Sequence, residues 1–145
     1  MRIVSKVALG MAATLAVAVI VVFTAFLWGM HSTSKRLKQE ASVIIERFHR
    51  NYNLGDFRAM CTDLFGCTED SRIEAHWREE VEGTRKNFGS YDDSTSSDIQ
   101  AWVEPMGVRA RFQSKFRSGD VNEQFDFMPL PDGRLKIAQF NVKEH

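Results

Sequence analysis

Cysteine and proline are scarce here, with two and three in 145 residues, and charge of either sign is not in excess. Each shortage excludes something. Cys61 and Cys67 stand apart from His49 and His76 at no recognised ligand spacing, which argues against a zinc site. Lys plus Arg equals Asp plus Glu at 19 each, so there is no basic stripe to track a phosphate backbone, and nucleic acid is a poor partner. A glycine-rich phosphate loop, a Ser-His-Asp arrangement, an acidic metal cluster and an internal repeat are all missing. Nothing in the motifs calls for a metal or a cofactor, and the length suits one domain.

What is present begins with oil. From Val7 to Met30 the sequence runs about 24 residues without a charge, and about 20 apolar residues span a bilayer as a helix. Trp28 stands where an indole favours the headgroup region. Arg2 and Lys6 resemble the start of a cleaved signal peptide, but the apolar run exceeds the usual 7–15 residues and no A-x-A site follows. Residues 1–30 are therefore read as an uncleaved single-pass anchor. Orientation by charge is nearly tied, with Arg2 and Lys6 before the run and Lys35, Arg36 and Lys38 after it. The export-like N-terminus and the neighbouring cysteines favour a domain outside the cytoplasm, on the periplasmic side of a bacterial inner membrane. Residues 31–40 read as a polar juxtamembrane linker, or a helical continuation of the anchor, whose cations suit anionic headgroups.

The soluble domain, 41–145, opens with three helical stripes. Ala41, Ile44, Ile45, Phe48 and Tyr52 form the first, ending at Gly55, with Asp56 placed to cap the next. Phe57, Met60, Cys61, Leu64 and Phe65 form the second, ending at Gly66. Ile73, Trp77, Val81, Thr84 and Phe88 form the third, with Ser71 and Glu74 as a capping box and Gly89 as its end. Residues 90–98 read as a loop or irregular edge strand. The period then shifts from 3.6 to 2. Ile99, Ala101 and Val103 alternate up to Pro105, and Val108, Ala110, Phe112, Ser114 and Phe116 alternate with a basic outer face. Val121, Glu123, Phe125 and Phe127 alternate back after a turn at Ser118–Gly119 or Gly119–Asp120. The first turn pairs Arg111 with Asp126 and Arg117 with Asp120. Leu135 and Ile137 lie on one face but Ala138, Phe140 and Val142 on the other, so a β-bulge is expected near Ile137–Ala138.

Three helices followed by three to four antiparallel strands is an α+β arrangement with helices packed on a curved sheet. In that order, with Asn53-Leu54-Gly55-Asp56-Phe57 between the first two helices and the late hairpins Glu123–Phe127 and Pro131–Ile137, the domain resembles the NTF2-like (cystatin-like cone) superfamily. The resemblance implies a cone-shaped domain behind an anchor, as in bacterial envelope proteins, that binds another envelope protein or itself through an exposed sheet face. It also allows a small apolar ligand inside the cone, or an enzyme.

Glu123 is the residue that either alternative needs. It shares the inward face with Val121, Phe125 and Phe127, where a desolvated carboxylate suits general acid–base work or a polar ligand contact, with Phe112, Phe125 and Phe127 as apolar lining. Against this stands a Glu hydrated at a strand end or paired with a helix Arg or His. Cys61 and Cys67 can form a disulfide in an oxidising compartment if the break at Gly66 brings them within about 7 Å, and are otherwise free thiols. His49 and His76 read as partly exposed helix residues, and Trp77 and Trp102 as core or interface anchors.

Overall fold

The computed structural model describes the backbone of residues 2–67, 71–103 and 106–144, and the side chains among these except 2–16, Ser71, Ser96 and Val103. The expected Ser71 cap and the Pro105 break lie outside these limits. The chain divides into two compact units, Met1–Ser34 and Lys35–His145.

The first unit is helical along its described length. Among the described residues one helix is long and apolar enough to cross a membrane. Val17, Ile20, Val22, Phe23, Phe26 and Trp28 are all exposed, a hydration cost that lipid would relieve. Thr24 returns its hydroxyl to the Ile20 and Val21 carbonyls at 2.9 Å, which satisfies a polar group that lipid cannot.

The anchor, the juxtamembrane residues and the first stripe are not three elements but one, and of the two readings of 31–40 the helical continuation is the one found. One helix, α1, runs Arg2–Leu54 and takes in the expected linker and first stripe. No proline or glycine interrupts residues 31–54, so the backbone has no reason to stop. Leu37 is fully buried, and the Glu40 carboxylate accepts the Leu135 N–H at 2.8 Å. The domain's core thus reaches back into 31–40. Gly55 leaves the helix in the left-handed region, and Asp56 caps α2, Phe57–Met60, by accepting the Ala59 N–H at 3.0 Å. A π-helical turn, Cys61–Phe65, follows and ends at the left-handed Gly66. The third stripe is α3, Ser71–Phe88; Trp77 and Val81 are buried, whereas Ile73 is exposed.

Four strands form one antiparallel sheet in sequence order: β1 Tyr91–Val103, β2 Met106–Phe116, β3 Gly119–Pro129 and β4 Leu135–Glu144. β1 takes in the polar segment 91–98 as an edge strand with two register shifts. The β2–β3 register differs from both expected turns. Phe116 pairs with Gly119, leaving Arg117 and Ser118 as the turn. The cause is tertiary: the Arg117 and Ser118 N–H groups donate to the Ser90 and Phe88 carbonyls, which ties the turn to the end of α3. Arg109 therefore faces Asp126, and Lys115 faces Asp120. Every alternative register keeps the same parity, so the apolar face is unchanged. In β4, Asp126 pairs with Gln139 but Phe127 with Ile137, so Ala138 is the extra residue of a bulge and Phe140 joins Leu135 and Ile137 inside.

The core is aromatic. Phe48 on α1 lies within 4.7–6.2 Å, centroid to centroid, of Phe140, Phe125, Tyr52 and Phe65. Phe65 stacks on Trp77 at 4.1 Å, and Tyr52 meets Phe116 edge-on at 5.7 Å.

Candidate functional site

A carboxylate lies in that aromatic core. Strand alternation turns Glu123 inward between Val121 and Phe125, and only 1% of it is exposed. Such a group is tolerated when donors surround it. The Ser114 hydroxyl, on the neighbouring strand, donates to Oε2 at 2.5 Å. From α1, His49 Nε2 lies 3.0 Å from Oε2 and 3.2 Å from Oε1. His49 is itself buried, and its ring stacks on Tyr91 at 3.7 Å and 4°. Asn53, one turn on, holds Tyr91 in place: it accepts the Tyr91 N–H at 2.8 Å and donates to the Tyr91 carbonyl at 2.9 Å. Tyr52 donates to the Gly89 carbonyl at 2.8 Å. His49, Tyr52 and Asn53 together fasten α1 to the sheet and to the start of β1.

The sequence reading missed His49, taking it as partly exposed. A signal was available: His49 follows Ile45 by four residues and precedes Tyr52 by three, which places it on the buried stripe. His76, by contrast, is exposed.

The order of contacts decides the chemistry. Glu123 stands between Ser114 and His49, both of which bond to its carboxylate. A histidine placed this way does not take the serine's proton, so the arrangement is no nucleophile–base relay. Of the residues considered for a cone ligand, Phe125 and Phe127 are buried in the core, and Phe112 is half-buried. Phe112 and Glu123 both border one cavity of about 530 Å³, whereas Phe125 and Phe127 do not line it. No buried side-chain nitrogen or oxygen lacks a partner among the described residues, and no three metal-binding side chains converge there.

Burial raises both tyrosine hydroxyls above their ordinary value of 10.0, and the negative charge of Glu123 adds to it. A hydroxyl raised on folding stabilises fully below its unfolded value and loses that contribution as pH climbs through the folded one. Stability should therefore fall above about pH 10. Tyr52→Phe should cost about 1 kcal/mol at neutral pH, for the Gly89 bond, and flatten that alkaline decline. Urea melts at pH 7 to 11 check both.

Two grooves flank the network. One, of about 460 Å³, runs beside α1 between Glu46, His49 and Arg50 and the start of β1 at Tyr91 and Asp92. The other, of about 530 Å³, is bordered by the outer-face residues Arg111, Gln113, Asn122, Gln124, Asn141 and Lys143 together with Phe112 and Glu123. On that outer face Arg109 holds Asp126 through two bonds, at 2.6 and 3.1 Å.

Cys61 and Cys67 are joined as a disulfide, their Cα atoms 5.2 Å apart. The π-helical turn and Gly66 draw the two together, which an uninterrupted α-helix over the same span would not. Changing both to serine should cost about 2 kcal/mol, since a short loop is closed. Paired urea melts of the oxidised protein and the double variant test this.

Comparison with protein families, with characterised proteins and with solved structures finds no match to this chain.

Proposed function

We propose that this is a single-pass membrane protein whose NTF2-like domain, held outside the cytoplasm, works as a tether rather than as an enzyme. The anchor confines the domain to a thin layer beside the bilayer and so raises its effective concentration for anything fixed there. The observation that carries the reading is the two-sidedness of the sheet. Its inner face is largely filled by aromatic side chains around a carboxylate bonded to Ser114 and His49, while the outer face carries exposed and half-exposed polar side chains. A largely filled interior weighs against a small apolar ligand and against catalysis at Glu123, and leaves the outer face as the binding surface. The helices gathered on one side of a bent four-stranded sheet support the NTF2-like likeness, and the Cys61–Cys67 bond supports an oxidising compartment.

Photo-crosslinking in cells tests the tether. A benzoylphenylalanine at Asn122, on the outer face, should give adducts retained in the membrane fraction, and one at Glu79 on α3 should not. Unmodified protein at both positions would count against tethering. A reporter fused after His145 reads the compartment, and a cytoplasmic signal would overturn that part of the proposal.

A further inference from the structure

The outer face of the sheet has an unusual composition for a protein-binding surface. Register places its residues in straight rows across the strands. One row is Asp98, Arg111, Gln124 and Asn141; the next is Gln100, Arg109, Asp126 and Gln139. On the other side of the first row, Gln113, Asn122 and Lys143 pair in turn. Six carboxamides therefore share this face: Gln100, Gln113, Asn122, Gln124, Gln139 and Asn141. No aliphatic or aromatic side chain interrupts these rows, and four of the six amides line the groove of about 530 Å³.

Most charges on the face answer one another. Arg109 is bonded to Asp126, Lys115 faces Asp120, and Arg111 faces Asp98, while Lys143 faces Asn122. With charges of both signs interleaved, the surface favours an uncharged ligand over a polyanion such as nucleic acid. Exposed apolar side chains are confined to the end of the rows, at Trp102 and Met128, so the centre of the face offers a protein partner no apolar anchor.

At one end of the rows the chemistry changes. Trp102 pairs with Gly107, and its indole lies across that residue, within 2.8 Å of where a side chain's first carbon would stand. Any other residue at 107 would push the ring away. Glycine there lets the indole lie down on the sheet, and 38% of Trp102 stays exposed. It stands four residues along β1 from Asp98 at the edge of the groove, about 13 Å away.

We propose that this face binds an uncharged oligosaccharide, with Trp102 as the stacking platform and the carboxamides as its hydrogen-bonding floor. A sugar ring has an apolar C–H face that fits an indole, and ring hydroxyls that each donate and accept. A carboxamide offers one donor group and one acceptor group side by side. Bonds already made within the face hold two of the amides in position: Gln100 donates to Asp98 at 2.9 Å, and Gln124 accepts from Arg111 at 3.3 Å and donates to Asp126 at 3.2 Å. The proposal rests on the tether reading and names what the tether holds: glycan beside the membrane.

Full-length protein in lipid nanodiscs is titrated into end-labelled hexasaccharides of β-1,4-glucose, β-1,4-N-acetylglucosamine and α-1,4-glucose, read by fluorescence anisotropy against empty nanodiscs. At least one should bind, with an affinity unchanged between about 0.05 and 0.5 M salt, since no ligand charge is screened. Trp102→Ala should weaken binding about tenfold. Gln139→Ala with Asn141→Ala, exposed or half-exposed on a different strand, should weaken it several-fold, and circular dichroism checks that each variant folds. Absence of binding to all three sugars, or binding untouched by Trp102→Ala, overturns the assignment. The crosslinks at Asn122 separate the two levels. A protein adduct with no sugar binding leaves the tether standing and removes the glycan, whereas neither result removes both.

Discussion

His49→Leu should lower the stability of the domain by about 3–5 kcal/mol, the largest polar effect available in this chain. The reason is what it leaves behind. Glu123 is buried to 1%, and its donors are His49 and Ser114. Removing the imidazole leaves a buried carboxylate in an aromatic core with one donor fewer, and a total stability of about 5–15 kcal/mol leaves little margin. The partner test gives the result its meaning. A triple variant, His49→Leu with Glu123→Leu and Ser114→Ala, removes every member of the network and should recover most of the loss, because replacing a buried ion pair with apolar residues is often neutral. Urea denaturation of the full chain in detergent, followed by circular dichroism, measures both. Equal losses in the single and triple variants would mean that packing, not polarity, holds α1 at this point.

Phe48→Ala should cost a similar amount, about 3–5 kcal/mol, by a different route. Phe48 is fully buried and touches rings from α1, the π-helical turn, β3 and β4. Its removal opens a cavity between α1, the π-helical turn and the sheet. Phe48→Leu should recover about half or more of the loss, since most of the volume returns. The same urea melts measure it, and a loss below about 1 kcal/mol would show that the core collapses around the gap.

Which strand positions face inward was legible in the sequence, and so were the ends of the helices at glycine. Gly55, Asp56, Gly66 and Gly89 act locally, through backbone freedom or a side-chain cap, and each sits where the chain turns. The bulge at Ala138 was legible for the same reason: a change of face in a strand has one local remedy. His49 was misplaced because a single polar residue on a stripe looks the same whether it meets water or a carboxylate 74 positions away. Whether residues 31–40 continue the helix stayed open in the sequence, because polar residues do not end a helix when nothing else does.

Local chemistry by itself determined the oily N-terminal span, the sequence of helices and then strands, and the parity of each strand, since all three follow from spacing along the chain. Tertiary structure alone decided the β2–β3 register, the burial of His49 against Glu123, and the juxtaposition of Trp102 with Gly107 and six carboxamides. Those features depend on residues far apart in the chain meeting across strands and layers, and periodicity carries no record of which partner a side chain will find.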